Sequence, residues 1–223
     1  MEGRGYPLLG LFFSMTLASS NAIAGIVIDQ YTAGPDTFIA QPDEFPAPFR
    51  QTGLNPATVL NGVRVVTING VQLGEGIVSA TIDVESHGGR FIYDASAASA
   101  SPTSSGLIET MSVGVGDPDW REPASTFSVD LTADGSDRFA IEVLESNILD
   151  SFGNSATQRF NVRVASGDPG QRTGRFAGSF EIGFQAQPIS VFLPFVDSNA
   201  LIDFSKVAYV EIFTVNLWDE KRG

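Results

Sequence analysis

The residues best suited to ligand chemistry lie in one short loop, residues 116–123, with the sequence Gly-Asp-Pro-Asp-Trp-Arg-Glu-Pro. Sugar recognition commonly combines an aromatic ring, which stacks on the apolar face of the sugar, with charged groups that bond its hydroxyls. Trp120 supplies the ring here, and Asp117, Asp119 and Arg121 supply the charges. The loop therefore predicts a carbohydrate-binding site. In the alternative interpretation, Trp120 folds back over the edge of the domain and caps it.

A catalytic site finds little support in the sequence. His87 is the single histidine, cysteine is absent, and no G-x-S-x-G motif occurs. Zinc sites and Ser-His-Asp or Cys-His arrangements need more of these residues than the chain contains. We therefore expect that the protein is not an enzyme. Asp83 and Glu85 would lie on one face of a strand, and this carboxylate pair leaves a polysaccharide hydrolase or lyase as a third hypothesis.

Residues 1–24 have the pattern of an export signal. Arg4 is followed by an apolar stretch over residues 8–17 that is too short to span a bilayer, and Ala22-Ile23-Ala24 matches an A-x-A cleavage site. Cleavage there would release residues 25–223 as a secreted protein, periplasmic or extracellular, without a membrane span. The alternative is a membrane anchor that is never cut.

Composition limits the class of protein and its partners. The net charge is −13, and a field of that sign repels phosphate backbones and anionic lipid headgroups, so no nucleic acid partner is expected. Without cysteine, the folded state must rely on its core or on bound ions instead of disulfides. Residues 25–223 are enough for one domain with a full core and too few for two domains of typical size.

Period-two alternation of apolar and polar residues dominates the sequence. It is strict in residues 126–131 and 159–164 and continues at Phe139, Ile141 and Val143. The remaining candidate strands are residues 26–31, 63–68, 77–85, 90–93, 107–115, 175–184, 189–193 and 207–215. No window of helical length has a convincing 3.6-residue period. We expect a single all-β domain, an antiparallel sandwich of about eleven strands.

The order of motifs in the second half resembles a known family. These motifs are residues 134–143, 161–164, 179–184 and 189–195, followed by Ile-Asp-Phe-Ser-Lys-Val-Ala-Tyr-Val-Glu-Ile at 202–212. They are similar to the galactose-binding-like jelly rolls of bacterial carbohydrate-binding modules and of the complex I intermediate-associated protein 30 type. The resemblance implies a jelly-roll sandwich. We expect the strand that begins at Val27 to lie beside the strand that begins at Val207.

A second resemblance concerns the start of the chain. Residues 28–35 and 59–64 resemble exported bacterial proteins that end in a PEP-CTERM sorting tail. The tail itself, with its Val-Pro-Glu-Pro motif and closing apolar segment, does not follow Val215. The resemblance therefore implies export. It does not support sorting to the cell envelope, because the motif that directs such sorting is not seen here.

The family resemblance also implies a metal ion. Related jelly rolls often hold a structural calcium ion between their first and last strands. In those regions this chain carries Asp29, Asp203 and Glu211, and calcium prefers oxygen ligands of this kind. A structural calcium site at these three residues is the implied expectation, and no other cofactor is required.

Taken together, the patterns predict an exported, non-catalytic domain that binds carbohydrate or another extracellular polymer. A structural protein of the extracellular matrix or envelope is the second hypothesis. That protein would need exposed sheet edges for assembly and no ligand cleft. The two hypotheses differ in whether the surface presents a ligand site or an assembly edge.

Overall fold

The computed structural model describes residues 12–18, 26–40, 48–69, 78–83, 90–94, 108–146, 155 and 157–217. Strands account for 52% of the structure and helix for 4%, which confirms the all-β prediction. His87, Glu85 and the predicted cleavage site at 22–24 lie outside the described residues. Within them, no helix is long and apolar enough to cross a membrane.

The described residues contain thirteen strands. In chain order these are β1 (Phe12–Ala18), β2 (Val27–Asp29), β3 (Asp36–Ala40), β4 (Phe49–Gln51), β5 (Arg64–Asn69), β6 (Val78–Asp83), β7 (Arg90–Asp94), β8 (Ile108–Gly116), β9 (Arg138–Val143), β10 (Gln158–Ser166), β11 (Thr173–Ile182), β12 (Ile189–Pro194) and β13 (Val207–Leu217). Two short 3₁₀ turns lie at Leu60–Gly62 and Phe195–Asp197. The strands β1, β3 and β4 are absent from the sequence prediction. β4 is short and forms a sheet edge, as expected of a strand in a proline-rich segment.

The strands form two antiparallel sheets. The seven-stranded sheet has the order β12-β9-β1-β7-β6-β3, with β2 paired to β1, and the six-stranded sheet has the order β11-β10-β13-β8-β5-β4. Buried side chains of both sheets belong to one apolar cluster, which includes Phe139 and Ile141 from the first sheet and Val162 and Val210 from the second. The two sheets therefore pack face to face as a β-sandwich.

Alternation decides which side chains enter this core. On β9, Phe139, Ile141 and Val143 have no exposed surface, whereas Glu142 between them is exposed. β10 has the same alternation of buried and accessible residues over most of its length. Each large apolar side chain buried in this way contributes about 1.5–3 kcal/mol to folding. The opposite faces of the strands are left to carry polar groups.

Two strand predictions are wrong. Residues 126–131 do not form a ladder: only Val129 pairs, through hydrogen bonds of 2.8 and 2.9 Å with Val207. Phe127 and Val129 pack against the core, so one-sided burial alone accounts for the alternation of this segment. In addition, β2 does not lie beside β13, because the two strands belong to opposite sheets.

Strand β1 falls within the segment for which the sequence predicts an export signal. It is paired with β9 along Phe13–Ala18, and its other side is paired with β7 at two positions and with β2 at two positions. The seven-stranded sheet therefore has this segment between β9 and β7. Export of the chain remains a prediction.

Candidate functional site

The predicted ligand loop begins where β8 ends at Gly116. Gly116 has a φ of 111°, a value that favours glycine, and a Cβ at this position would lie 2.4 Å from the carbonyl oxygen of Ala208 on β13. The Asp117 N–H donates to the same oxygen at 2.8 Å, and the Trp120 N–H donates to the Asp117 carbonyl at 3.2 Å. The absence of a side chain at Gly116 thus lets the loop turn closely over β13.

Trp120 is largely buried by this turn. Its side chain is 9% exposed and packs with Ala165, Ala208 and Tyr209 on the outer face of the six-stranded sheet. A Cβ at Gly174 would lie 3.3 Å from the indole, so the ring approaches the backbone of β11 closely. Small residues below the ring make this approach possible. The structure therefore favours the capping interpretation of Trp120 over an exposed stacking plate.

Arg121 and Asp119 lie on the outside of the loop. The guanidinium carbon of Arg121 is 4.5 Å from the centroid of the Trp120 ring, within the range of a cation–π contact. Asp119 accepts a hydrogen bond of 2.8 Å from Arg50, and the two side chains are 57% and 45% exposed. Both predicted ligand residues are accessible, at the rim of the outer face.

Asp117, in contrast, stabilises the loop through hydrogen bonds within it. It accepts hydrogen bonds from the Ser125 hydroxyl and, at 3.0 Å, from the Asp119 N–H. Ser125 in turn accepts a hydrogen bond from Arg172, whose side chain has no exposed surface and also donates to the carbonyl of Phe127. A buried arginine thus fixes the chain at Ser125 and Phe127, and Asp117 is part of this network.

A group of charged and aromatic side chains lies on the strands beside the loop. Arg163 on β10 and Glu211 on β13 are directly opposite one another, and their Nε–Oε2 distance is 2.7 Å. Arg163 is 45% exposed, and its guanidinium carbon is 5.3 Å from the centroid of the Phe213 ring. Phe176 pairs with Arg163 from the other side and is 50% exposed. We call Arg163, Phe176, Glu211 and Phe213 the outer patch.

Tyr209 closes the outer patch on the side of the loop. It is 8% exposed, and its hydroxyl lies across Gly114, where an added Cβ would be 1.9 Å away. Burial raises the pKa of Tyr209 well above its usual value, with a further contribution from the negative charge of Glu211. Tyr209 and Trp120 together form an aromatic wall beside the patch.

The first predicted calcium ligand, Asp29, is fully engaged by protein groups. Arg64 donates to both of its carboxylate oxygens, at 2.6 and 2.7 Å, and the Tyr31 N–H donates to one of them at 2.8 Å. The remaining Arg64 nitrogen donates to the Ala33 carbonyl and to Gln51. Burial raises the pKa of Asp29 above its usual value, and the contacts with Arg64 and Tyr31 oppose this effect. Asp29 therefore belongs to a buried ion pair.

The structure does not gather the three predicted calcium ligands. Glu211 is bonded to Arg163 in the outer patch, and Asp203 accepts hydrogen bonds from the backbone and hydroxyl of Ser205 at 3.1 and 2.6 Å. Among the described residues, no group of three or more His, Cys, Asp or Glu residues has the geometry to hold a metal ion. The calcium ion remains a prediction without such a cluster in this part of the chain.

A small cavity between the sheets does not provide a ligand site. Its volume is about 10 Å³, and its walls include Asp29, Tyr31, Val113 and Val210. This is the size of a single water molecule, whereas small-molecule sites enclose about 300–1,000 Å³. This cavity is therefore too small for any ligand larger than a water molecule.

Sequence reasoning missed the outer patch and Arg172. The patch has a local signal, since Arg163 and Glu211 occupy polar positions of two alternating strands. Their pairing depends on the register of β10 with β13, which the alternation of a single strand does not contain. Arg172 has no local signal, because its partners Ser125 and Phe127 lie more than forty residues away in sequence.

Comparison of the chain with protein-family models, with curated proteins and with solved structures finds no match. Evidence on function therefore comes from the chemistry of the outer patch and of the loop around Trp120.

Proposed function

We propose that the protein is an exported, non-catalytic domain of galactose-binding-like jelly-roll type that binds carbohydrate or another extracellular polymer across the outer patch. The observation that carries this proposal is the combination of the exposed side chains of Phe176 and Arg163 with Phe213 on one sheet face, where the largely buried Glu211 holds the guanidinium of Arg163 in place. Phenylalanine rings stack on the apolar faces of sugars. The exposed guanidinium of Arg163 can donate hydrogen bonds to the hydroxyls at the rim of the same rings.

The arrangement suits a neutral, extended ligand. Arg163 and Glu211 neutralise each other, so the outer patch attracts neither sign of charge strongly. The net charge of −13 on the whole chain disfavours polyanions. Phe176 and Phe213 lie two strands apart, about 10 Å across the sheet, a span that accommodates consecutive rings of a polysaccharide.

The proposal assigns Trp120 a supporting role. Its ring forms part of the aromatic wall at the end of the patch, while Arg121 and Asp119 at the rim remain available for hydroxyl groups. Compared with the sequence prediction, the aromatic contact surface moves from Trp120 to the two phenylalanines. The polar partners Asp119 and Arg121 stay in the proposal, whereas Asp117 belongs to the loop network.

A glycan-array screen of the protein, with and without calcium, tests this function. We expect binding to one class of neutral glycan at micromolar to millimolar concentration, and weaker binding when Arg163 or Phe176 is replaced by alanine. Binding of no glycan at millimolar concentration would reject the proposal. Equal binding with and without calcium would show that glycan binding does not require the predicted calcium ion.

A second candidate is a structural protein that assembles with itself. The observation in its favour is a set of large apolar side chains at the surface: Ile39, Phe176, Phe184, Phe192, Val196 and Leu201, which are 48–88% exposed. Sedimentation velocity over a hundredfold range of protein concentration distinguishes the candidates. A concentration-dependent polymer without glycan binding would favour assembly, and a monomer that binds glycan would favour the polymer-binding function.

A further inference from the structure

The pairing of β1 with β9 is a specific match in register. The pairs are Phe13 with Val143, Ser14 with Glu142, Met15 with Ile141, Thr16 with Ala140, Leu17 with Phe139 and Ala18 with Arg138. Within residues 13–17, the apolar residues of β1 pair with the three residues of β9 that have no exposed surface. The serine and threonine between them pair with residues that are accessible. A slip of one residue would reverse every one of these pairs.

This match is more than an export signal requires. The apolar part of a signal peptide needs hydrophobicity over a short length and has no need for period-two alternation. Residues 13–18 nevertheless alternate as Phe-Ser-Met-Thr-Leu-Ala, in step with the burial of β9. The segment therefore has the sequence of a strand for this position in the sheet.

Removal of residues 1–24 would take a whole strand out of the sheet. β9 would lose six paired positions on one side and keep only β12 on the other, and β2 would lose its partner in the sheet. The backbone N–H and C=O groups of β9 that face β1 would then be unpaired, which makes an edge able to accept another strand.

We infer that the space between β9 and β7 is a strand-binding site, and that its occupant is the segment Phe12–Ala18. When the chain is cut between β1 and β2, the segment stays bound as a separate strand, and an emptied site binds the same segment again from solution. The ligand class is an extended peptide with apolar residues at alternate positions, which runs antiparallel to β9. This is recognition by strand addition, in which backbone hydrogen bonds give affinity and alternate side chains give specificity.

The inference does not depend on polymer binding at the outer patch. That patch lies on β10, β11 and β13 of the six-stranded sheet, whereas the strand site lies in the seven-stranded sheet. Failure of one proposal therefore leaves the other standing.

The test uses the full chain, made by cell-free translation without membranes so that no signal cleavage occurs. A recognition sequence for a site-specific protease is inserted between residues 20 and 21, and the chain is cut only after it has folded. We expect the N-terminal fragment to co-elute with the remainder on size exclusion, and the amides of β9 to keep their protection from hydrogen exchange. Immediate loss of the fragment with unchanged exchange at β9 would overturn the inference.

Peptide exchange provides the second measurement. The cut protein is freed of its fragment in mild denaturant and returned to buffer, and a synthetic peptide of residues 11–19 is added. We expect this peptide to raise the melting temperature and to restore slow exchange at β9. The matched control is a peptide in which residue 15 is exchanged with residue 16, so that composition is kept but no register places apolar residues opposite Val143, Ile141 and Phe139 together. Equal effects of both peptides would contradict a register-specific strand site.

Discussion

Arg64 points into the sandwich and forms an ion pair with Asp29 in which both carboxylate oxygens accept hydrogen bonds, at 2.6 and 2.7 Å. The two side chains are 0% and 2% exposed, so neither charge is shared with solvent. Tyr31 beside them has a φ of 54°, and its ring centroid is 5.1 Å from the guanidinium carbon. A tyrosine in this left-handed region is strained. The hydrogen bond from its backbone N–H to the Asp29 carboxylate holds the backbone in this conformation.

The first prediction concerns this ion pair. Arg64→Met leaves a buried carboxylate without its partner and should lower the free energy of unfolding by about 3–5 kcal/mol. The double variant Asp29→Leu with Arg64→Met should cost less than the sum of the two single changes, because neither charge is then left unpaired. Urea denaturation measures all three variants. Gln51→Ala, which removes one neutral acceptor of Arg64, is the control and should cost about 1–3 kcal/mol. Additive effects of the two charged residues would contradict the coupling.

Arg64 also shows where sequence patterns fail. In residues 63–68 the alternation would place Val63 and Val65 on one face, yet Arg64 is the residue that enters the core with Val66 and Ile68. Its compensating charge, on Asp29, lies thirty-five residues earlier in the chain, and no local sequence pattern indicates a partner that far away. By contrast, the strands β9 and β10 were predictable, since their alternation has a single physical cause, burial of one face against the other sheet.

The same reasoning applies to the candidate site. The composition of the loop at residues 116–123 predicted a carbohydrate site, but it left open whether Trp120 is exposed for stacking or folds back as a cap. Its position follows from Gly174, Ala165 and Ala208, small residues on three other strands that let the ring approach the sheet. Such a juxtaposition depends on strand order, which a single sequence does not reveal.

The second prediction separates the two interpretations of Trp120. Trp120→Ala should lower the free energy of unfolding by about 3–5 kcal/mol, because a cavity remains over Gly174 and Tyr209. Glycan affinity at a temperature where the variant is folded should change little. Arg121→Ala is the control: it removes an exposed contact with the ring and should cost below about 1 kcal/mol. A variant with unchanged stability and lost binding would restore the exposed-plate interpretation.

The third prediction concerns acid stability. Hydrogen bonds from the Thr132 hydroxyl and N–H lower the pKa of Asp130 below its usual 3.8, and hydrogen bonds from Arg138 lower the pKa of Asp137 in the same direction. Each group then binds a proton less readily in the folded state than in the unfolded state. Their contribution to stability is therefore complete above the unfolded pKa and is lost as the pH falls below about 3.8 through the folded values.

Replacement of both carboxylates tests the predicted loss of stability at low pH. The double variant Asp130→Asn with Asp137→Asn should be less stable than the wild-type protein at pH 6, and the difference should shrink as the pH is lowered below 3.8. Chemical denaturation at a series of pH values provides the comparison. A difference that stays constant across this range would show that the two carboxylates do not contribute through their ionised forms.

The last prediction concerns the outer patch, for which the fold offers a matched control. Phe176 is 50% exposed beside Arg163 on the six-stranded sheet, and Phe192 is 51% exposed with the Arg138 guanidinium 5.9 Å from its ring on the seven-stranded sheet. The two phenylalanines are equally accessible and have the same kind of neighbour, but only Phe176 belongs to the proposed ligand site.

Phe176→Ala should weaken glycan binding about tenfold, equivalent to about 1.4 kcal/mol, while Phe192→Ala should leave it unchanged. Isothermal titration with the glycan found on the array measures both. Because each truncation removes a half-exposed ring, both variants should also keep nearly the same melting temperature. Equal loss of binding in the two variants would place the ligand elsewhere on the surface.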